Sequence, residues 1–507
     1  MFIHSYCSSR IGRQHGLPTH IAFIDLVKAY DTANHELLLQ VLKKYGAPPK
    51  LIDVVRRLYT DLRVVLKIGK LKTEILQGVG VRQGDNMAGV LFLFLMTAFA
   101  DLMEKKFAQA GILRPEMMRE SDESFHKGQF IRHDITKCRK SPTLISFIVD
   151  LAVYVDDTAA AFPSREQLEK GSRIIQSIFT SLGMEMHIGV KTSETTWGES
   201  KTECLYIPPA KELKQLALDM GLSKDDLVLL TNDMPEDDVI FEDNVLSLDN
   251  KNEEKQPETQ RTRRRKLEER IYEYSNETLP VDVDGGRITY CMYFKYLGSW
   301  ISFTLTDDKD IEMRIAAFIK STGGLKVFFD RKEVRLQSKF MVFMALPINF
   351  LLWGCESWAV CKYHLNKLQS AINLQIRRIL KLTMWDVKEQ RITNEQLWER
   401  FCNIPTIQTM IDIRALQYLG KVIRGQVSAP PRHVLIAYVN HRRPRGRPSK
   451  CNKECLRDSL DRLLSKDNGI HIDRFASLKD WYRDALDDVF WKGCINHLKN
   501  PTKYAIP

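Results

Sequence analysis

Hydrophobic and polar positions in the first 110 residues form short blocks that predict strands and helices in quick succession. Residues 20–26 (HIAFIDL) are almost continuously apolar, the pattern of a buried strand. DTANHE follows, then LLLQVLKKYG, a helix that Asp31 or Thr32 can cap and that Gly46 with Pro48 and Pro49 ends. A second helix is predicted over 53–62. A hairpin over 64–68 and 73–76 turns at Gly69-Lys70. A polar loop at 82–86 leads into a largely apolar helix over 87–109. Residues 112–141 are polar and irregular and read as an insertion. Residues 144–162 then read strand, turn, strand, with YVDD at the turn, and Ser164 with Gln167 makes a capping box for a helix ending near Gly183.

The character changes over 220–280. An acidic stretch (231–258) precedes the basic block RTRRRK (261–266), and opposite charge blocks with few aromatics suggest a disordered, mobile insert. The basic block reads either as a nuclear localisation signal or as a solvated charge run. From 310 to about 425 apolar residues recur at helical three-and-four spacing, broken at Pro347 and Pro405. The chain turns basic again at 442–450 (RRPRGRPSK) and ends in two helical segments.

Composition narrows the class. With 44% hydrophobic and 27% charged residues, the 507-residue chain reads as soluble and globular with two to four domains. The net charge of +11 suits a polyanionic partner. Ten scattered cysteines form no framework and point to a reducing compartment. The longest charge-free apolar run, 88–100, is shorter than the about 20 residues that span a bilayer. No signal peptide is visible in MFIHSYCSSRIGR. The expectation is an intracellular, nuclear protein with no membrane partner.

The candidate chemistry lies in Asp25, Asp156 and Asp157. Two adjacent carboxylates at an apolar hairpin tip repel each other unless a cation sits between them. A third carboxylate on a neighbouring strand would complete an oxygen site suited to Mg²⁺. Two such ions can stabilise both the attacking and leaving oxygens of an in-line phosphoryl displacement.

AFIDLVKAYD, GVRQGDNMAGVLF, YVDD and FKYLGSWIS occur in that order, and together they resemble motifs A, B, C and E of reverse transcriptases of non-LTR (LINE-like) retrotransposons. The resemblance runs from about 21 to 424. It implies an α+β fold: a polymerase palm of antiparallel sheet with packed helices, then an α-helical thumb and a basic helical C-terminal region. The implied domains are a fingers remnant at 1–20, the palm at 21–300 with inserts at about 112–141 and 220–280, a helical thumb and connection at 301–430, and the basic region at 431–507. The implied activity is RNA-directed DNA synthesis with two Mg²⁺ ions, a dNTP, an RNA template and a DNA primer or target.

Carried over by residue, Asp25, Asp156 and Asp157 are the metal ligands, helped by the backbone carbonyl of Leu26. Tyr30 stands where the family carries a steric gate against a ribose 2′-OH, or is a packed aromatic. Gln83 and Gly84 match the loop that lies against nucleotide and template, although the run after Gly84 lacks the Pro that many relatives have. Lys201 resembles the Lys that helps protonate the leaving pyrophosphate, with Lys191 as a rival. Phe294, Lys295, Tyr296, Leu297 and Gly298 resemble the primer grip, though their alternation also fits an ordinary strand. LLWGCESWAV and ALQYLGKVIRG resemble thumb and downstream helices.

Arg443, Arg445 and Arg447 resemble an AT-hook for the minor groove, or belong to a basic linker. Cys451 with Cys455 and Cys494 with His497 have no standard zinc spacing. Only about 20 residues precede Asp25, and Arg10 and Arg13 cannot replace a fingers subdomain, so the chain reads as N-terminally truncated. Two other readings stay open: an inactive remnant that only binds nucleic acid, and an RNA-dependent RNA polymerase, which Tyr30 and Tyr154-Val155 speak against.

Overall fold

The computed structural model describes residues 13, 16–82, 84–119, 145–193, 196–231, 259–426, 429–436, 452–463 and 481–499. Its organising element is a mixed sheet. Strand β1 (Thr19–Ile24) lies at its centre, and the hairpin β2 (Leu151–Tyr154) and β3 (Asp157–Phe162) lies on one side. On the other side are β5 (Glu203–Ile207), β7 (Gly286–Tyr290) and β6 (Val281–Val283), in the order β6-β7-β5-β1-β3-β2, with the two-residue β4 (Gly189–Val190) pairing to β7. β1 runs antiparallel to both β3 and β5, while β5 and β7 are parallel.

All six residues of β1 are buried, which explains the unbroken apolar run: the strand is covered on both faces, so no polar alternation is needed. Its period of two divides it between two cores. Ala22 and Ile24 face one that includes Phe92, Leu95, Phe99, Ile175 and Phe179. Ile21 and Phe23 face another with Tyr206, Tyr272, Tyr296 and Phe303. The first core is closed by helices α1 (Asn86–Ala110) and α2 (Arg165–Ser181), whose Phe99 and Phe179 rings stack 4.2 Å apart. Asp85 caps α1, and Ser164 caps α2 through the Gln167 N–H, but the reciprocal half of the expected capping box is replaced: Gln167 Oε1 accepts from the Leu113 N–H at 2.8 Å.

Several boundaries differ from the sequence expectation. Asn34, not Asp31 or Thr32, caps the helix His35–Lys44. By length and composition α1 could cross a membrane, longer than the 13-residue run suggested, because two charge-bearing turns extend it. In the fold its Leu91, Phe92, Leu95, Phe99, Met103 and Phe107 fill the sheet's core. The hairpin Arg63–Ile68 and Leu71–Leu76 forms as expected, with every residue exposed. Within the insert expected over 112–141, Glu116–Arg119 pairs with Ile145–Ile148, and residues 120–144 lie outside the described set.

The larger correction concerns 220–280. Residues 232–258 lie outside the described set, but the basic block is not a mobile charge run. It opens helix α3 (Gln260–Tyr274), which Thr259 caps. Its arginines are paired: Arg261 with Asp308 at 2.7 Å, Arg263 with Asp226 at 2.8 Å, Arg264 with Glu268 at 3.1 Å and Arg265 with Glu312 at 3.0 Å. Three of these partners, Asp226, Asp308 and Glu312, lie on neighbouring elements, invisible to local charge counting, and they fold the block in.

Beyond the sheet comes the hairpin β8 (Tyr293–Tyr296) and β9 (Ser299–Ser302). Helices α4 (Asp308–Gly324) and α5 (Lys362–Leu380) then build a separate helical core from Ile311, Phe318, Phe343, Leu351, Trp358, Leu368 and Ile372. Helix α6 (Ile407–Arg424) bridges to a C-terminal cluster with α7 (Asn452–Leu463), where the Trp491 indole donates to the Leu416 carbonyl at 2.9 Å. Residues 443–447, 451 and the side chain of His497 lie outside the description, so the AT-hook and zinc readings have no structural counterpart here.

The fold makes one sharp packing prediction. A Cβ at Gly171 of α2 would lie 2.6 Å from Cζ of Phe162, a ring that is itself 1% exposed. Gly171→Ala should therefore destabilise by about 1–3 kcal/mol through overpacking, despite alanine's better helix propensity. Urea denaturation checks this, and a neutral or stabilised variant would show that the interface can yield.

Candidate active site at the end of the central strand

The site grows out of strand register. Ile24 is paired with Thr158, so the next step along each chain sets Asp25 beside Asp157. The hairpin β2–β3 turns through Val155 and Asp156, with Tyr154 opposite Asp157. Val155 has φ 60, a left-handed conformation that a β-branched residue adopts only under strain. The structure thus brings Asp25, Asp156 and Asp157 to one end of the sheet.

Electrostatics register this proximity. Burial, followed by the charges of Asp156 and Asp25, raises the carboxyl of Asp157 above its ordinary range. Asp25 is held by its backbone: its N–H donates to Thr202 Oγ1 at 3.1 Å, and its carbonyl accepts from the His187 N–H at 2.8 Å and from the Thr202 hydroxyl at 3.3 Å. Leu26 bridges to Met186 just beyond. Lys201, exposed, immediately precedes Thr202, whereas Lys191 lies on the edge pairing to Trp197. Among the described residues, no three acidic, histidine or cysteine side chains converge closely enough to hold one ion. The acids face an open end.

Tyr30 stacks on Phe92 at 4.8 Å and is also close enough to Asp156 for that charge, after burial, to raise its phenol. Both sequence readings of Tyr30 therefore meet in one place: it is a packed ring at the rim of the acids. Gln83 lies outside the described residues. Gly84 has φ 90 and open space around it, so its need is conformational. Close approach belongs instead to Gly80, φ 91, where a Cβ would sit 2.7 Å from the Asp31 carbonyl oxygen. The Gly80 N–H donates to the Ala33 carbonyl (2.8 Å), the Val81 N–H donates to the Tyr30 carbonyl (2.7 Å), and the His35 ring meets the Gly80 carbonyl at 2.7 Å. These bonds strap the loop to the turn carrying Tyr30. Sequence reasoning passed over Gly80, although GVGVRQG carried the signal of three closely spaced glycines.

The β8–β9 hairpin lies beneath the acids. Phe294 stacks on Phe23 at 3.9 Å, and the buried Tyr296 donates to the Ala152 carbonyl at 3.3 Å. Those side chains point into the sheet, while Lys295 is exposed. Leu297 and Gly298 form the turn, both at positive φ (48 and 85), as a two-residue type I′ turn demands. Leucine is a poor residue there, and the helical region holds it. The Trp353 indole donates to the Leu297 carbonyl at 3.3 Å, and Arg314 donates to the Gly298 carbonyl. Arg314 pairs with Asp310, which also accepts from the Trp300 N–H (2.9 Å) and the Trp358 indole (2.7 Å). Burial outweighs these partners and lifts the Asp310 carboxyl to about 6.

Comparison with known proteins bears on this end of the sheet. Residues 3–200 match the family model described as reverse transcriptase (RNA-dependent DNA polymerase). That part of the chain is similar to reverse transcriptase domains. Its similarities are to retrotransposon proteins. The chain is 27% identical over 106 residues to the Transposon TX1 uncharacterized 149 kDa protein of Xenopus laevis. It is 34% identical over 74 residues to the Pol polyprotein of a type-1 R2 retrotransposable element of Bradysia coprophila, and 32% over 88 residues to that of the type-2 element R2DM of Drosophila melanogaster. These matches cover 21%, 14% and 17% of this chain and 8% of each relative. The matched residues include all three acids and Tyr30, and the similar proteins are of the retrotransposon kind that the ordered motifs resemble.

The matched region gives a prediction that separates its two loop glycines. Gly80→Ala meets backbone on a positive φ and should cost about 2 kcal/mol or more. Gly84→Ala pays only for φ, about 1 kcal/mol. Thermal unfolding of both variants checks the order, and equal losses would mean that the strap to Tyr30 is not formed.

Proposed function

We propose that the chain is an RNA-directed DNA polymerase, joining the 3′-oxygen of a DNA primer to the α-phosphorus of a dNTP and releasing pyrophosphate on an RNA template. The observation that carries this reading is the β1–β3 register, which sets Asp25 beside the Asp156–Asp157 tip. The donors are all oxygen, and burial, followed by the charges of Asp156 and Asp25, raises the Asp157 carboxyl, so the set suits a hard divalent cation. Asp25, Asp156 and Asp157, with the Leu26 carbonyl, are the groups that would hold two Mg²⁺ ions. Bound there, the ions would supply charge neutralisation for the triphosphate and for the attacking and leaving oxygens.

The chain's own residues do the rest. Tyr30, fixed on Phe92, occupies the space a ribose 2′-OH would need. The loop at Gly84 lies against nucleotide and template, a role that the resemblance also gives Gln83. Lys201 is the group that would give its proton to the leaving pyrophosphate. The turn at Leu297-Gly298, with Lys295 exposed beside it, supports the primer end while Phe294 and Tyr296 anchor the hairpin to the sheet.

Primer extension on an RNA template tests the reading. Asp156→Ala should lower the rate by on the order of 100-fold or more. An unchanged rate would overturn the assignment, and salt-dependent nucleic-acid binding without incorporation would favour a binding-only role. Tyr30→Val should admit ribonucleotides at least about ten-fold better relative to deoxynucleotides, whereas Tyr30→Phe should not.

Linkage supplies a test independent of activity. A carboxyl raised in the folded state favours folding most when protonated, and that contribution is lost as pH rises from the ordinary carboxylate range through its raised value. Without divalent ions, Asp157→Asn should therefore raise the melting temperature at pH 7. Mg²⁺ should stabilise the wild type more than this variant. Thermal shift with and without Mg²⁺ reads both effects.

A further inference from the structure

Outside the polymerase site, the helical region holds a second cluster of titratable groups. Cys361 is the N-cap of the 19-residue helix α5. Its Sγ lies 3.5 Å from Nδ1 of His364, one turn inside the helix. The far side of that ring, Nε2, is 3.0 Å from Asp308 Oδ1 on α4. Arg261 of α3 completes the arrangement. Its guanidinium pairs with Asp308, reaches His364 Nε2 at 3.1 Å and lies 4.3 Å from the Tyr363 ring centre. Thiol, imidazole and carboxylate thus form a relay from two helices, α5 and α4, with the imidazole buried. That is the arrangement in which an imidazolium, steadied by the carboxylate, holds a thiolate.

The sulfur is not sealed in. Cys361 lines a cavity of about 200 Å³ between the helical region and the C-terminal helices, and Cys455 of α7 lines the same cavity. Cys455 Sγ is 3.9 Å from the carbonyl of Val360, the residue bonded to Cys361. Adding the peptide's own dimensions puts the Cys455 sulfur within about 7 Å of the Cα of Cys361, so side-chain rotation and a small backbone shift would join them. Cys204, Cys355 and Cys494 are buried.

We propose that Cys361 is a nucleophilic thiolate that peroxides oxidise, and that Cys455 captures the product as a disulfide linking the helical region to the C-terminal helices. The atoms balance. Cys361 reacts as the thiolate, its proton lost to solvent, beside the protonated His364, which holds the sulfur through Nδ1. The thiolate attacks one peroxide oxygen, the O–O bond breaks, and sulfur is oxidised to sulfenic acid while the other oxygen leaves as hydroxide. The Cys455 thiolate then displaces that hydroxyl group, which takes a proton and departs as water as the S–S bond forms.

The charge environment supports the geometry. Burial pushes the Cys361 thiol up, but the hydrogen bond and charge of His364, with Arg261, outweigh it and bring the thiol down to about 7. Burial works against a charged His364, yet Asp308 and Cys361 hold it up at about 9. Also facing the cavity are Glu356 and Lys362 nearby in the chain and, from α6 and α7, Asp412, Asp458 and Arg462, with Asp412 and Arg462 paired at 2.6 Å. These flanking charges leave the histidine and arginine as the decisive local pair. Cys402, by contrast, has its thiol raised by burial and serves as an internal reference.

The test uses the full-length, reduced chain. Residue-resolved alkylation with iodoacetamide should label Cys361 faster than an ordinary thiol by about three-fold at pH 7 and about six-fold at pH 6, once the lower nucleophilicity of a more acidic thiol is counted. The ratio to Cys402 should be larger still. His364→Asn should erase this acid-side advantage. After stoichiometric hydrogen peroxide, non-reducing peptide mapping should show a Cys361–Cys455 crosslink. In Cys455→Ser, a sulfenic acid that dimedone can trap should accumulate at Cys361 instead. Cys361 labelling no faster than Cys402 at pH 6, or peroxide giving neither crosslink nor dimedone adduct, would overturn the proposal. The wild-type measurement stands alone should the histidine variant fail to fold.

Discussion

The register between β1 and β3 is the constraint on which everything else rests. A one-residue slip would exchange Ala22 and Ile24 with Ile21 and Phe23 between the two cores, and would carry Asp25 away from the hairpin tip. The hydrophobic sorting that fixes the strand therefore also fixes the carboxylate. Because β1 is held from both sides, by β3 and by β5, the fold can keep Asp25 close to two other acids that repel it. Hydrophobic burial holds the charges where a cation would be drawn in.

Strain gathers around this end of the sheet and is restrained from elsewhere. Val155 and Leu297 both sit in the left-handed region, and Gly80 abuts the backbone of Asp31. Conformations of this kind persist only where the surroundings determine them. For the Leu297-Gly298 turn the surroundings belong to the helical region, through Trp353 and Arg314. Arg314 is steadied by Asp310, which in turn holds Trp300 and Trp358. The hairpin beneath the acids and the helical core are consequently one mechanical unit, and a shift of α4 would move the turn.

Local sequence disclosed whatever depended on local physics. The strand at 20–26, the YVDD hairpin, the Ser164 cap and the helices after 310 were readable from periodicity and turn chemistry. So were the three acids and Tyr30, because short motifs in order carried them. What stayed hidden depended on partners distant in sequence. The ion pairs that fold RTRRRK into a helix come from Asp226, Glu312 and Asp308. The strap that makes Gly80 indispensable comes from Tyr30 and Ala33, and the clamp on Leu297 comes from Arg314 and Trp353. Thr202, which holds Asp25 in place, stood beside the singled-out Lys201 without any signal of its own.

The same distinction changes what the positive charge means. A surplus of +11 reads naturally as an affinity for phosphates, and the densest basic run in the described chain is 261–266. Yet four arginines of that run are matched by carboxylates, and Arg314 and Arg462 are matched by Asp310 and Asp412. An arginine already shared with a carboxylate offers a phosphate little, since it must first give up a charge-assisted bond. Net charge can still steer a polyanion toward the molecule. Where such a strand would come to rest follows from the geometry at the end of β1, and there the chain presents carboxylates. Phosphate and carboxylate repel, so a nucleotide could settle at that end only in company with cations.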